Sequence, residues 1–61
     1  MNAANIQRLL IQSGYIFKKI PQENNDQLVW VCMDDDQIPL VSGKVLSEVI
    51  WKMNAEIGGV L

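Results

Sequence analysis

The sequence predicts an α+β domain in the order helix, strand, strand, short third strand, helix, its antiparallel two- to three-stranded meander packed against two helices. Three observations lead there. Apolar residues recur at helical spacing near both ends, two runs rich in β-branched and aromatic residues lie between them, and a polar cluster separates the runs. At 61 residues the chain has length for one domain, residues 1–61. A domain so small buries only about 60% of the surface its unfolded chain exposes, so its stability margin is thin.

Each element has its own warrant. From Ala3 to Ser13 the apolar residues Ala3, Ile6, Leu9 and Leu10 fall three and four apart, Asn2 or Asn5 can cap the start, and Gly14 can end the helix. Tyr15 to Ile20 reads as a strand that stops at Pro21, and Pro21 to Asp26 is a polar hairpin loop. Leu28 to Met33 is a near-continuous apolar run of the kind found in strands covered on both faces. Leu28, Trp30 and Cys32 share one face, and Val29, Val31 and Met33 the other. One face is expected on the helices, and a chain of this length has little material left to cover the second. Asp34 to Asp36 form a turn into a short strand at Gln37 to Val41, which Pro39 confines to an edge. Ser42 is the expected N-cap of a last helix, Lys44 to Ile57, with Leu46, Val49, Ile50, Met53 and Ile57 as its apolar stripe and Glu48 and Lys52 as an i,i+4 pair. Gly58 and Gly59 end it, and Val60 and Leu61 are expected to fold back as the apolar contact of a glycine cap.

This element order resembles that of small mRNA-interferase toxins with a double-stranded-RNA-binding-like fold. The stretch Asn5 to Tyr15, NIQRLLIQSGY, is similar to their first helix and its closing glycine. Those toxins carry a catalytic histidine in a Gly-Ser-His segment between the first two strands. Here Pro21 to Asp26 occupy that place, and the chain contains no histidine. The resemblance therefore implies the architecture and, as an alternative function, a small nucleic-acid-binding regulator.

Charge argues against that alternative. Residues 21–36 hold five carboxylates and no cation, −5, so the remainder, five cations against Glu48 and Glu56, is +3 and the net charge is −2. Nucleic-acid affinity comes largely from clustered Lys and Arg on phosphates. Arg8, Lys18, Lys19, Lys44 and Lys52 are scattered, so no direct nucleic-acid contact is expected. A lone cysteine, Cys32, is unlike the disulfide set of a small secreted domain, and the start of the chain lacks the positive region of a signal peptide. The longest apolar run falls far short of the roughly 20 residues a membrane span needs. A cytoplasmic protein without membrane contact is the expectation.

Several chemistries are closed. Without histidine there is no Ser-His-Asp or Cys-His site, and Cys32 lies in an apolar run where burial raises its pKa. An EF-hand loop starting at Asp34 would place Val45 where the bidentate Glu belongs. A hydrated magnesium ion held loosely by Asp34 and Asp36 is the remaining metal reading, set against solvated turn carboxylates. Gly43-Lys44 does not close a phosphate loop, because Ile38 and Val45 stand where Gly and Ser or Thr are required. No enzyme activity, cofactor or metal is expected.

Surfaces remain. The acidic residues Asp34, Asp35, Asp36, Glu23 and Asp26 could attract a basic groove, or could simply serve as solvated turns. If the strands pair as a hairpin, the two acidic turns lie at opposite ends of it. Trp51 borders the apolar stripe of the last helix and is the candidate anchor, tryptophan being common in interface hot spots. An uncovered sheet face or the Pro39 edge would be a place for a second copy, so a homodimer is expected from size alone. The leading expectation is a small acidic, non-catalytic interaction module that occupies a basic, nucleic-acid-binding surface of a larger host enzyme, in the manner of inhibitors encoded by phages or mobile elements. A structural subunit of a larger assembly is a further alternative.

Overall fold

The side-chain oxygen of Asn2 accepts the Asn5 amide at 2.9 Å and so starts helix α1, Ala3–Gln12. The structure, a computed structural model, describes residues 2–22 and 24–59. At the far end of α1 the Gly14 amide donates to the Ile11 carbonyl and the Tyr15 amide to the Leu10 carbonyl, a paired arrangement that needs a left-handed residue between helix and strand. Gly14, at φ +103°, supplies it, and Tyr15 continues onto the core.

Strand β1, Ile16–Pro21, begins one residue later than expected and includes Pro21. It is an outer strand of the sheet, where a missing amide donor is tolerated. The Gln22 amide closes the following loop by donating to the Gln27 carbonyl at 2.8 Å, Asn25 accepts the Gln27 amide through its side chain, and Asp26 takes a positive φ of 58°. Strand β2, Leu28–Met33, has the expected bounds and occupies the centre of the three-stranded antiparallel sheet β1-β2-β3.

Strand β3 spans Pro39–Gly43, two residues later than the sequence suggested. The turn accounts for the shift. Gln37 sits at φ 65° and donates its amide to the Asp34 carbonyl, so it belongs to the turn and not to the ladder. A register irregularity between Cys32 and Met33 then lets Met33 pair with Pro39 while Cys32 pairs with Val41. Ser42 is a strand residue opposite Val31 and does not cap the last helix. Helix α2 is Leu46–Glu56, its N-cap is Val45, and that residue makes no side-chain capping bond. Glu48 reaches back to the residue before the cap, its Oε1 accepting the Lys44 amide at 3.3 Å. Gly58 and Gly59 close α2 through their amides on Ala55 and Asn54, and the proposed fold-back of Val60 and Leu61 lies outside the described residues.

Strand alternation decides where the core sits. Phe17, Cys32 and Val41 are register partners and share one face, with Trp30 on the same side. Against that face pack Ile6 and Leu10 of α1 and Val49, Ile50 and Met53 of α2, all nearly or fully buried. Ile57, expected on the stripe, remains exposed just past the end of α2. The result is two layers, one of helices and one of sheet, and the helices share a single side.

Candidate interaction surface

Because both helices pack on the Cys32 side, the opposite face of the sheet has no helix over it among the described residues. Register places Ile16, Lys18 and Ile20 of β1, Val29, Val31 and Met33 of β2, and Ser42 of β3 on this outer face. Its middle is an open concavity of about 470 Å³ whose walls include Ile20, Val29, Val31, Pro39, Leu40 and Ser42. Val31 is only 4% exposed although no helix covers it. It lies on the central strand between Lys18 and Ser42, its register partners on the two sides. Toward the edges the floor opens, with Ile20 and Leu40 exposed at 37% and 42%.

The carboxylates lie beyond the strand ends. Asp34 is occupied within its own turn, its Oδ1 accepting the amides of Asp36 and Ile38, both at 2.9 Å. It is half-buried, and with Asp35 it walls a small hollow beside Ser13, Gly14 and Tyr15. Asp35 and Asp36 are exposed and form no ion pair among the described residues. One carboxylate oxygen from each member of the triplet lies within 4.8 Å of the others. Such spacing suits a cation, and it also follows from three consecutive aspartates on one tight turn. Asp26 is exposed in the other loop, beyond Pro21 and Leu28, and Glu23 lies outside the described residues. Since β2 separates the two turns by its six residues, Asp26 and the triplet stand about 20 Å apart and make two acidic ends in place of one patch.

Trp51 is 47% exposed on α2 and belongs to the helix layer. It therefore shares no face with the outer sheet surface. Trp30 packs on the core, as a large residue in a small core does, and the Lys19 ammonium stands 5.9 Å from its ring centre.

The cations are dispersed. Alternation on β1 sends Lys18 to the outer face and Lys19 to the helix face. Lys52 donates to the Ser42 carbonyl at 2.8 Å and pairs with Glu48 at 2.9 Å, tying α2 to β3, and Arg8 donates to the Asn5 side chain on α1. The Lys52 ammonium, with further help from the Lys44 amide, holds the Glu48 carboxyl below its ordinary value. Burial pushes the Cys32 thiol up, which disfavours the nucleophilic thiolate. No helix among the described residues is long and apolar enough to cross a membrane.

Sequence reasoning anticipated two differently covered faces on Leu28 to Met33 but did not single out Ile20 or Leu40. The signal for Ile20 was present in the alternation Ile16, Lys18, Ile20. Leu40 reaches this face by the same alternation, two residues before Ser42, and the irregularity beside it displaces Pro39. No protein-family model, curated protein or solved structure matches this chain.

Proposed function

We propose that this protein is a non-catalytic interaction module that acts by occupying a surface of a larger partner, with the outer face of the sheet as its docking surface. The observation that carries the reading is the one-sided packing of the sheet, which leaves Ile20, Val29, Leu40 and Pro39 around a concave floor that Gln22, Asn24 and Ser42 also line. Clustered apolar side chains on an open face are the kind of surface that partners cover. The acidic ends support a partner that is basic where it meets them, because opposite potentials speed association and select partners. Inhibition follows if the occupied surface is one the partner uses for nucleic acid. Lys18 and Lys19 on opposite faces of β1, and Lys52 committed to Glu48 and Ser42, favour this reading over direct nucleic-acid binding.

The test is capture of the partner from a lysate of the source organism at low and high salt, with Leu40→Lys and Trp51→Ala compared with the parent chain. A specific partner retained by the parent and by Trp51→Ala, lost with Leu40→Lys and weakened by salt, is the expected result. Retention by Leu40→Lys together with loss by Trp51→Ala would transfer the docking site to the helix layer.

A further inference from the structure

Resting on the reading of the outer sheet face as a docking surface, we infer that its occupant is one amphipathic helix. It has about 13 residues, an apolar stripe, and Lys or Arg at both ends, and it lies along the strands. Size is the first argument. Two strand spacings separate β1 from β3, about 10 Å, which matches one helix with its side chains. Six residues of β2 run about 20 Å, the length of about 13 helical residues. A helix placed there would give the sheet a layer on each face, an arrangement that buries both sides of an apolar central strand.

Charge complementarity is the second argument, and it separates a basic-ended helix from a second copy of this chain. Asp26 stands beyond one end of the floor and Asp35 and Asp36 beyond the other, all exposed and without an ion pair among the described residues. Two copies stacked face to face with aligned strands would bring acidic ends together in either direction, because both ends carry the same sign. Lys18 does not relieve this. Opposite Val31 it lies about 7 Å along the strand from Met33 and about 10 Å from Leu28, and the exposed aspartates stand in the turns beyond both, farther than the screening length of about 8 Å at physiological salt. A helix with basic termini meets both ends favourably and sets its apolar stripe on Ile20, Val29 and Leu40.

The experiment uses the whole chain and two synthetic peptides of about 13 residues with leucines at i, i+3, i+4 and i+7 spacing. One has lysines at both ends, the other glutamates. Amide shifts are followed by NMR titration at low and high salt, with light scattering on the same samples. The lysine-ended peptide is expected to shift Ile20, Val29, Val31 and Leu40. The glutamate-ended peptide should bind at least about tenfold more weakly, the gap narrowing with salt. Leu40→Lys should weaken the lysine-ended peptide, and Ile20→Lys is the second variant should that one fail to fold. Equal binding of the two peptides overturns the basic-ended partner and leaves the docking face intact. Shifts confined to Ile11 and Trp51 overturn both. If neither peptide binds and light scattering shows a dimer that Leu40→Lys disperses, the occupant is a second copy and this inference fails while the face remains an interface. No binding by a monomeric chain overturns the helix outright, and partner capture then decides separately on the docking face.

Discussion

On one side of β2, Trp30 and Cys32 meet Leu10, Val49 and Met53, whereas on the other Val29, Val31 and Met33 stand beside their neighbours in the sheet with no helix above them. The two sides are almost equally apolar. Composition therefore does not distinguish them, and strand parity together with the placement of two short helices does. Such a run states that both sides need cover without stating who supplies it. Here the chain covers one side itself, and we have proposed that a partner covers the other.

The sharpest way to break this comparison is to truncate one leucine from each side. Leu10 is fully buried beneath the sheet, so Leu10→Ala should cost about 2–5 kcal/mol, comparable with the whole stability expected of so small a core. Leu40 is 42% exposed, and Leu40→Ala should change stability by no more than about 0.5 kcal/mol. Urea unfolding of both variants measures the contrast. Similar losses would show that the outer face contributes to the fold and is no spare surface.

Gly14 probes how α1 reaches the covered side. At φ +103° a side chain is strained even though a Cβ there would meet nothing within 4 Å. Gly14→Ala should therefore cost about 1–2 kcal/mol through the backbone alone. A neutral outcome in the same unfolding assay would mean that the turn after α1 rearranges freely, and the seating of Tyr15 on the core would lose its explanation.

The acidic triplet divides the same way, into a part the fold uses and a part left to solvent. Asp34→Ala removes the acceptor of two amide bonds and should cost about 1 kcal/mol. Asp35→Asn with Asp36→Asn should leave stability within about 0.5 kcal/mol while reducing affinity for the lysine-ended peptide. If the double change destabilises as much as Asp34→Ala, all three carboxylates serve the turn and the electrostatic part of the proposal fails.

These contrasts show what could be read from the residues and what could not. The bounds of Leu28–Met33 followed from turn signals on both sides, the start of α1 from the asparagines Asn2 and Asn5, of which Asn2 is the cap, and the Glu48 and Lys52 pair from spacing, because each depends on neighbours along the chain. Ser42 was misread as a cap because a serine before an apolar stripe satisfies the local rule equally well inside a strand. Its true place depends on pairing with Val31 across the sheet. Asp26, the triplet and Trp51 were candidates on charge and residue type alone. Hairpin pairing already placed the two acidic turns at opposite ends, whereas the place of Trp51 on the helix layer needed the three-dimensional packing. Leu40 stands on the outer floor by alternation with Ser42, a relation that was hidden while Ser42 was read as a helix cap and not as a strand residue.

The smallest expected effect concerns the corner that ties the two layers together. Glu48 accepts the Lys44 amide and pairs with Lys52, which also holds the Ser42 carbonyl, so one exposed carboxylate links α2 to the end of β3. The Lys52 contact, then the Lys44 amide, hold its pKa below the ordinary glutamate range. As the pH falls the unfolded chain therefore takes up this proton first. The stabilisation is present in full above the ordinary glutamate pKa and disappears as pH falls through the lowered folded value. Urea midpoints of the parent and Glu48→Gln should differ at neutral pH and converge in acid, other carboxylates cancelling because both chains carry them. Gly43→Ala offers a second route, since its Cβ would lie 2.8 Å from Glu48 Cδ and must displace the carboxylate. It should reproduce the pH response of Glu48→Gln with the charge still in place. Parallel curves for all three chains would show that the corner is held by the backbone and apolar contacts of α2 on β3, with Glu48 only resting there.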